Sequence, residues 1–148
     1  DWTGTADPSA FLSVPAAIRF MGALLPGGWP AVMAANRELI LSARDRLCAA
    51  LGVYPPIPDA MLGSMAAVPL PAPTGADETW ATDLNRALLE DERIEVPIGG
   101  WPVRAARTSG APPTAFLLRV SAQVYNRPEE YERLARALEG RVGFGPTT

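Results

Sequence analysis

The stretch FLLRVSAQVYNRPEEYERLARAL, Phe116 to Leu138, decides how the C-terminal half of the chain folds. Taken in steps of two, Phe116, Leu118, Val120, Ala122 and Val124 form an apolar row, and Leu117, Arg119, Ser121, Gln123 and Tyr125 a more polar one. Alternation of this period belongs to a strand with one face in a core. The polar row carries a single charge, Arg119, at mid-strand. Two readings are open for it. Its stem can lie along the sheet with its head in water. Alternatively, its planar pair of N–H groups can face a cleft and match a carboxylate, and a strand holds such a fork more rigidly than a loop.

Working outward, Asn126 predicts an N-cap for a last helix, with Glu129 as the reciprocal partner. Tyr131, Leu134 and Leu138 then face inward, and Glu129–Arg133 and Glu132–Arg136 have the spacing of i, i+4 ion pairs. Upstream, RIEVPI alternates Ile94, Val96 and Ile98 and predicts a strand. GGWPVRAARTSGAPPT reads as a long connection in which WPVRA forms a hairpin arm. A helix from Asp77 to Asp91 would bury Trp80, Leu84, Ala87 and Leu88. MAAVPLP predicts a short strand that Pro69 and Pro71 push to a sheet edge. The proline-rich connector Tyr54 to Ser64 cannot be helical.

The N-terminal third is helical in pattern. Asp7 and Pro8 read as a cap and a first helical residue. Pro15 should break or kink that helix, and Ser13 can cap a second one from about Val14 to Leu25. Pro30 opens a long helix to about Leu51, roughly 30 Å at 1.5 Å per residue, and Gly52 stops it. The order predicts an α+β layer from residue 64 on: a small, mostly antiparallel sheet covered by helices, preceded by two or three long helices.

Composition narrows the chemistry. The chain has 148 residues, 48% of them apolar, and a net charge of −3. That suits a domain with its own core and argues against a nucleic-acid or anionic-membrane surface. There is no histidine, the commonest general base. All thirteen basic residues are arginine, so no Schiff base can form on a lysine of this chain. The lone Cys48 fits a reducing, cytoplasmic setting, and its place on the Ala43, Leu47, Leu51 side of its helix makes it a core filler. Glu90, Asp91 and Glu92 end a helix and read as solvated. No metal-ligand spacing is present. In WTGTADP, Gly4 and Thr5 precede a capped helix, an arrangement that either holds a phosphate or merely turns the chain. Gly99 and Gly100 read first as a turn. Asp1 is not a natural initiator, which suggests a domain cut from, or paired with, a longer polypeptide.

GTADPSAFLSVPAAIRFM, NRELILSARDRLCAALG, MLGSMAAVPLP and LLRVSAQVYNRPEEYERLA together resemble, in order, the C-terminal portion of class V aminotransferase-type enzymes, nearest the isopenicillin N epimerase-like branch. Those enzymes depend on pyridoxal 5′-phosphate (PLP) and have the type I fold. The resemblance implies that residues 1–53 are terminal helices of a large domain with an interdomain helix, and 54–148 the small C-terminal domain. It implies that Arg119 binds the carboxylate of an amino-acid substrate, and that Gly4 and Thr5 reach the cofactor phosphate across a homodimer. It leaves Asn126 structural. Epimerase, lyase and aminotransferase chemistry all remain open. The expected partner is an N-terminal large PLP domain carrying the Schiff-base lysine, so this chain alone would be inactive. The related cysteine desulfurases carry a reactive cysteine between their last strands; GGWPVRAARTSGAPPT has none, which argues against persulfide transfer. The alternative is a non-catalytic module that binds a protein or a small carboxylate.

Overall fold

The structure, a computed structural model, describes residues 7–102 and 111–142. The chain divides into two compact units, residues up to Ala35 and residues from Asn36 onward.

In the first unit, helix α1 runs from Ser9 to Gly22. Asp7 Oδ1 accepts hydrogen bonds from the Ser9 N–H at 3.0 Å and the Ser9 hydroxyl at 2.6 Å, which holds the helix entry. The expected break at Pro15 does not occur, and α1 passes through it as one helix. A proline removes one N–H donor from the ladder, and here that loss does not end the helix. Ser13 caps nothing; its hydroxyl donates to the Ala10 carbonyl at 2.8 Å. The Trp29 indole N–H donates to the Ile18 carbonyl at 3.1 Å. No residue of α1 is buried.

Helix α2, Gly28–Leu51, extends into the second unit and ends at Gly52, whose φ of 64° gives the expected left-handed stop. A 3₁₀ turn, Asp59–Met61, closes the proline-rich connector. Strand β1 (Met65–Leu70), helix α3 (Glu78–Glu92), strands β2 (Ile98–Trp101) and β3 (Ala115–Ser121) and helix α4 (Pro128–Glu139) follow. The sheet has the order β1-β3-β2 and is antiparallel throughout. β3 is therefore central, and β1 lies at an edge as its prolines predict.

One face of the sheet is packed. Ala66, Val68 and Leu70 of β1 and Phe116, Leu118 and Val120 of β3 meet Ile40, Leu47 and Leu51 of α2, Leu84 and Leu88 of α3, and Tyr131, Leu134 and Leu138 of α4 in one core. The Trp80 and Phe116 rings meet edge-on, 4.9 Å apart. Trp80 is half-buried and Ala87 only partly covered, whereas Ala81 is fully buried. Cys48 lies in this core, as its helix face predicts, and burial raises its thiol pKa.

Three elements differ from their sequence reading. RIEVPI keeps its alternation, with Ile94, Val96 and Ile98 packed against the core, but pairing starts only at Ile98. Pro97 has no N–H to contribute to a ladder. Instead β2 is built from the glycines expected to turn. Gly100 has to be glycine, because a Cβ there would lie 2.7 Å from Pro113 Cβ. Part of the WPVRA arm lies outside the described residues. The cap of α4 is shifted by one: Glu130, not Glu129, reaches back, its carboxylate accepting from the Arg127 N–H at 3.1 Å. Asn126 is occupied elsewhere, its Oδ1 accepting from the Gln123 N–H at 3.0 Å. The i, i+4 pairs are replaced by tertiary ones: Arg133 donates to the Glu92 carbonyl and Glu132 pairs with Arg46 at 3.1 Å. Asp91 and Glu92 are not merely solvated, since Arg141 bridges them at 3.0 and 3.2 Å.

Arg44 is the one buried cation among the described residues, only 2% exposed. Its Nη2 donates to Asp45 at 2.7 Å and to Asp59 at 2.6 Å, while Arg37 donates to the Asp59 carbonyl at 2.9 Å. Two arginines of α2 thus pin the end of the connector. Both aspartates are mostly exposed, 61% and 66%, and recover hydration if the arginine is lost. We therefore expect Arg44→Met, which keeps the buried volume, to change stability by less than about 1.5 kcal/mol. Arg44→Ala leaves a cavity and should cost about 2–5 kcal/mol. Urea denaturation of both variants checks the difference. Leu118, fully buried in the central strand, sets the scale for core packing: Leu118→Ala should cost about 2–5 kcal/mol in the same experiment.

Candidate carboxylate-binding site

Burial of Phe116, Leu118 and Val120 turns Leu117, Arg119 and Ser121 to the other face of β3. That face is open, and Arg119 stands on it exposed. Its backbone is held firmly: its N–H donates to the Pro97 carbonyl at 3.0 Å, and Ala67 is its partner on β1. A small residue opposite leaves room around the guanidinium. Among the described residues, no carboxylate pairs with Arg119.

Arg119 lines a cavity of about 470 Å³ between the segment Arg93–Pro97 and the start of α4. This volume falls in the range of small-molecule sites. Arg93 and Arg133 share the wall with Arg119, against Glu95 and Glu130. Glu130 is already engaged. Asn126 donates to it at 3.0 Å and the Arg127 N–H at 3.1 Å, and these bonds lower its pKa. Tyr131 also lines the cavity, with its hydroxyl donating to the Ser121 carbonyl at 2.6 Å. Burial raises the pKa of that phenol, with Glu130 adding to the effect. It stays protonated and committed to the backbone, so it is no base. The site therefore offers cationic forks, which suits anion binding.

Among the sequence-predicted residues, Arg119 lies where the alternation puts it. Gly4 and Thr5 lie outside the described residues. Arg93 was missed. It follows α3 at φ 55°, the left-handed position that glycine usually fills. No glycine occurs between the end of α3 and Gly99, so a left-handed stop here falls on another residue.

The depressed pKa of Glu130 sets a pH dependence. A carboxylate whose folded pKa is lowered adds stability above its unfolded value of about 4.3. That contribution is lost as pH falls through the folded value. Glu130→Gln should lower the urea midpoint at neutral pH, and the difference from the unmodified chain should shrink steadily as the solution is acidified through the carboxylate range.

No protein-family model matches the chain. Curated proteins do. It is 34% identical over 145 residues to the "Probable L-cysteine desulfhydrase, chloroplastic" of Arabidopsis thaliana, a match covering 97% of this chain and 30% of that protein. It is 35% identical over 142 residues to the isopenicillin N epimerase of Streptomyces clavuligerus and 36% over 138 residues to that of Amycolatopsis lactamdurans, covering 95% and 92% of this chain. These matches take in 31% and 30% of the two epimerases. Among solved structures, the 8-amino-7-oxononanoate synthase of Francisella tularensis aligns with a TM-score of 0.49 and 17% identity, over 74% of this chain and 27% of that one. The chain spans about a third of the length of the curated relatives it matches. It is homologous to a C-terminal portion of the class V aminotransferase-type proteins that include the L-cysteine desulfhydrases and isopenicillin N epimerases.

Proposed function

We propose that this chain is the small-domain part of a PLP-dependent enzyme acting on an amino acid, in which Arg119 takes the substrate carboxylate. The observation that carries the proposal is an arginine fork fixed mid-strand beside a cavity and left unpaired by every described carboxylate. The names of the relatives support an amino-acid substrate and leave epimerase, lyase and aminotransferase types open.

The residues of this chain do not by themselves fit PLP. None of them is a lysine, and the Gly4–Thr5 pair expected near the phosphate lies outside the described residues. The cofactor would be held by other parts of a longer polypeptide, the N-terminal large PLP domain among them, in a homodimer. When bound, PLP supplies an electron sink that makes the amino-acid Cα–H acidic.

The contribution of this chain is positional. A two-pronged contact from Arg119 fixes both carboxylate oxygens and therefore the direction of the bond to Cα. Glu130, tied up by two N–H donors, does not compete for the guanidinium.

In the full-length protein, Arg119→Ala should raise KM for the amino acid about 10–100-fold, the loss of a charge-assisted bond worth about 1.5–3 kcal/mol. Arg119→Lys should recover part of that loss, since it keeps the charge without the fork. An unchanged KM in Arg119→Ala rejects the assignment.

A second reading, a non-catalytic module that binds a protein, draws on α1. Phe11, Leu12, Ile18 and Phe20 are 77%, 75%, 52% and 65% exposed, far more apolar surface than one helix ordinarily leaves to water. In the first reading the large domain covers this helix; in the second, a separate partner does. Activity in the full-length protein separates the two.

A further inference from the structure

We infer that the cavity beside Arg119 selects substrates with a second anionic group, and that Arg93 is the residue that holds it. The inference rests on the reading of Arg119 as the carboxylate site.

The backbone at Arg93 comes first. Its N–H donates to the Leu89 carbonyl at 3.1 Å and the Ile94 N–H to the Leu88 carbonyl at 3.0 Å, closing α3 in a left-handed stop. Backbone bonds of this kind form equally well with glycine, which has no Cβ to strain. Arg93 is the only non-glycine residue at positive φ among the described residues. A side chain kept in a left-handed conformation costs about 1–2 kcal/mol, and a strained residue beside a cavity points to a use for its side chain. A cation at a helix C-terminus recovers about 0.3–1 kcal/mol of that cost, so the helix alone does not account for it.

Position and charge complete the case. Arg93 lines the same cavity as Arg119. Four residues of chain, at most about 14 Å, separate it from Pro97, whose carbonyl is bonded to the Arg119 N–H. Two arginines lining one cavity at that separation can hold the two ends of one small molecule. Among the described residues no ion pair forms with Arg93, Glu95 included. Of the other charged groups facing the cavity, Arg133 donates to the Glu92 carbonyl and Glu130 is bound by two N–H groups. Arg93 and Arg119 are the arginines of this cavity whose side chains make no hydrogen bond or ion pair among the described residues.

The test is calorimetric titration of the full-length protein with L-glutamate and L-2-aminoadipate, each compared with its side-chain amide, which has the same shape without the charge. At least one acid should bind about 10-fold tighter than its amide, in the range of a charge-assisted hydrogen bond. Arg93→Gln should bring that ratio to within about twofold while leaving amide binding unchanged, and Arg119→Gln should weaken acid and amide alike. Arg93→Gly should lose the preference too, yet raise the urea midpoint by relieving the left-handed strain. No preference in the unmodified protein, a preference that survives Arg93→Gln, or a lower midpoint for Arg93→Gly overturns the inference. If Arg119→Gln binds normally while Arg93→Gln loses the preference, the reading of Arg119 is what fails, not that of Arg93.

Discussion

Everything distinctive about the second unit follows from burying one row of β3. Phe116, Leu118 and Val120 are each no more than 4% exposed, and helices α2, α3 and α4 all meet that row. Side chains of a strand alternate strictly, so fixing one row fixes the other. Arg119 cannot turn into the core without pulling Leu118 and Val120 out of it. Its direction is thus guaranteed by the largest apolar cluster of the unit and does not depend on any local contact of its own. The strand fixes the face from which the guanidinium leaves, and among the described residues no ion pair occupies its donors.

Several polar groups around this core close the helix ends. Asp77 accepts from the Thr79 and Trp80 N–H groups at the start of α3. Glu130 closes the start of α4, and Tyr131 ties that helix to the end of β3 through the Ser121 carbonyl. α4 is therefore anchored to the strand that carries Arg119 by a buried phenol as well as by Leu134 and Leu138. Coupling of this kind keeps the cavity wall in register with the strand.

Much of this was legible in the sequence because it depends on short-range patterns. Alternation located β3 and the face of Arg119, the prolines sent β1 to an edge, and Asp77 marked the start of α3. What was not legible depends on contacts distant in sequence. Gly99 and Gly100 look like a turn until Pro113 is seen packed where a Cβ would go. Glu132 and Arg133 have ideal i, i+4 partners on their own helix, yet Arg46 and the Glu92 carbonyl win them. Asn126 has the chemistry of a cap and is taken by Gln123, which moves the capping box along by one residue. Pro15 removes one donor from α1, and that single loss does not divide the helix. The reading of Gly4 and Thr5 falls outside the described residues.

Strand β1 carries one more consequence. A six-residue strand interrupted by Pro69, at one side of a sheet whose other side is a four-residue strand, is a poor template for a further strand. Among the described residues, both outer strands of this sheet are short. A short edge broken by a proline offers little for β aggregation to extend.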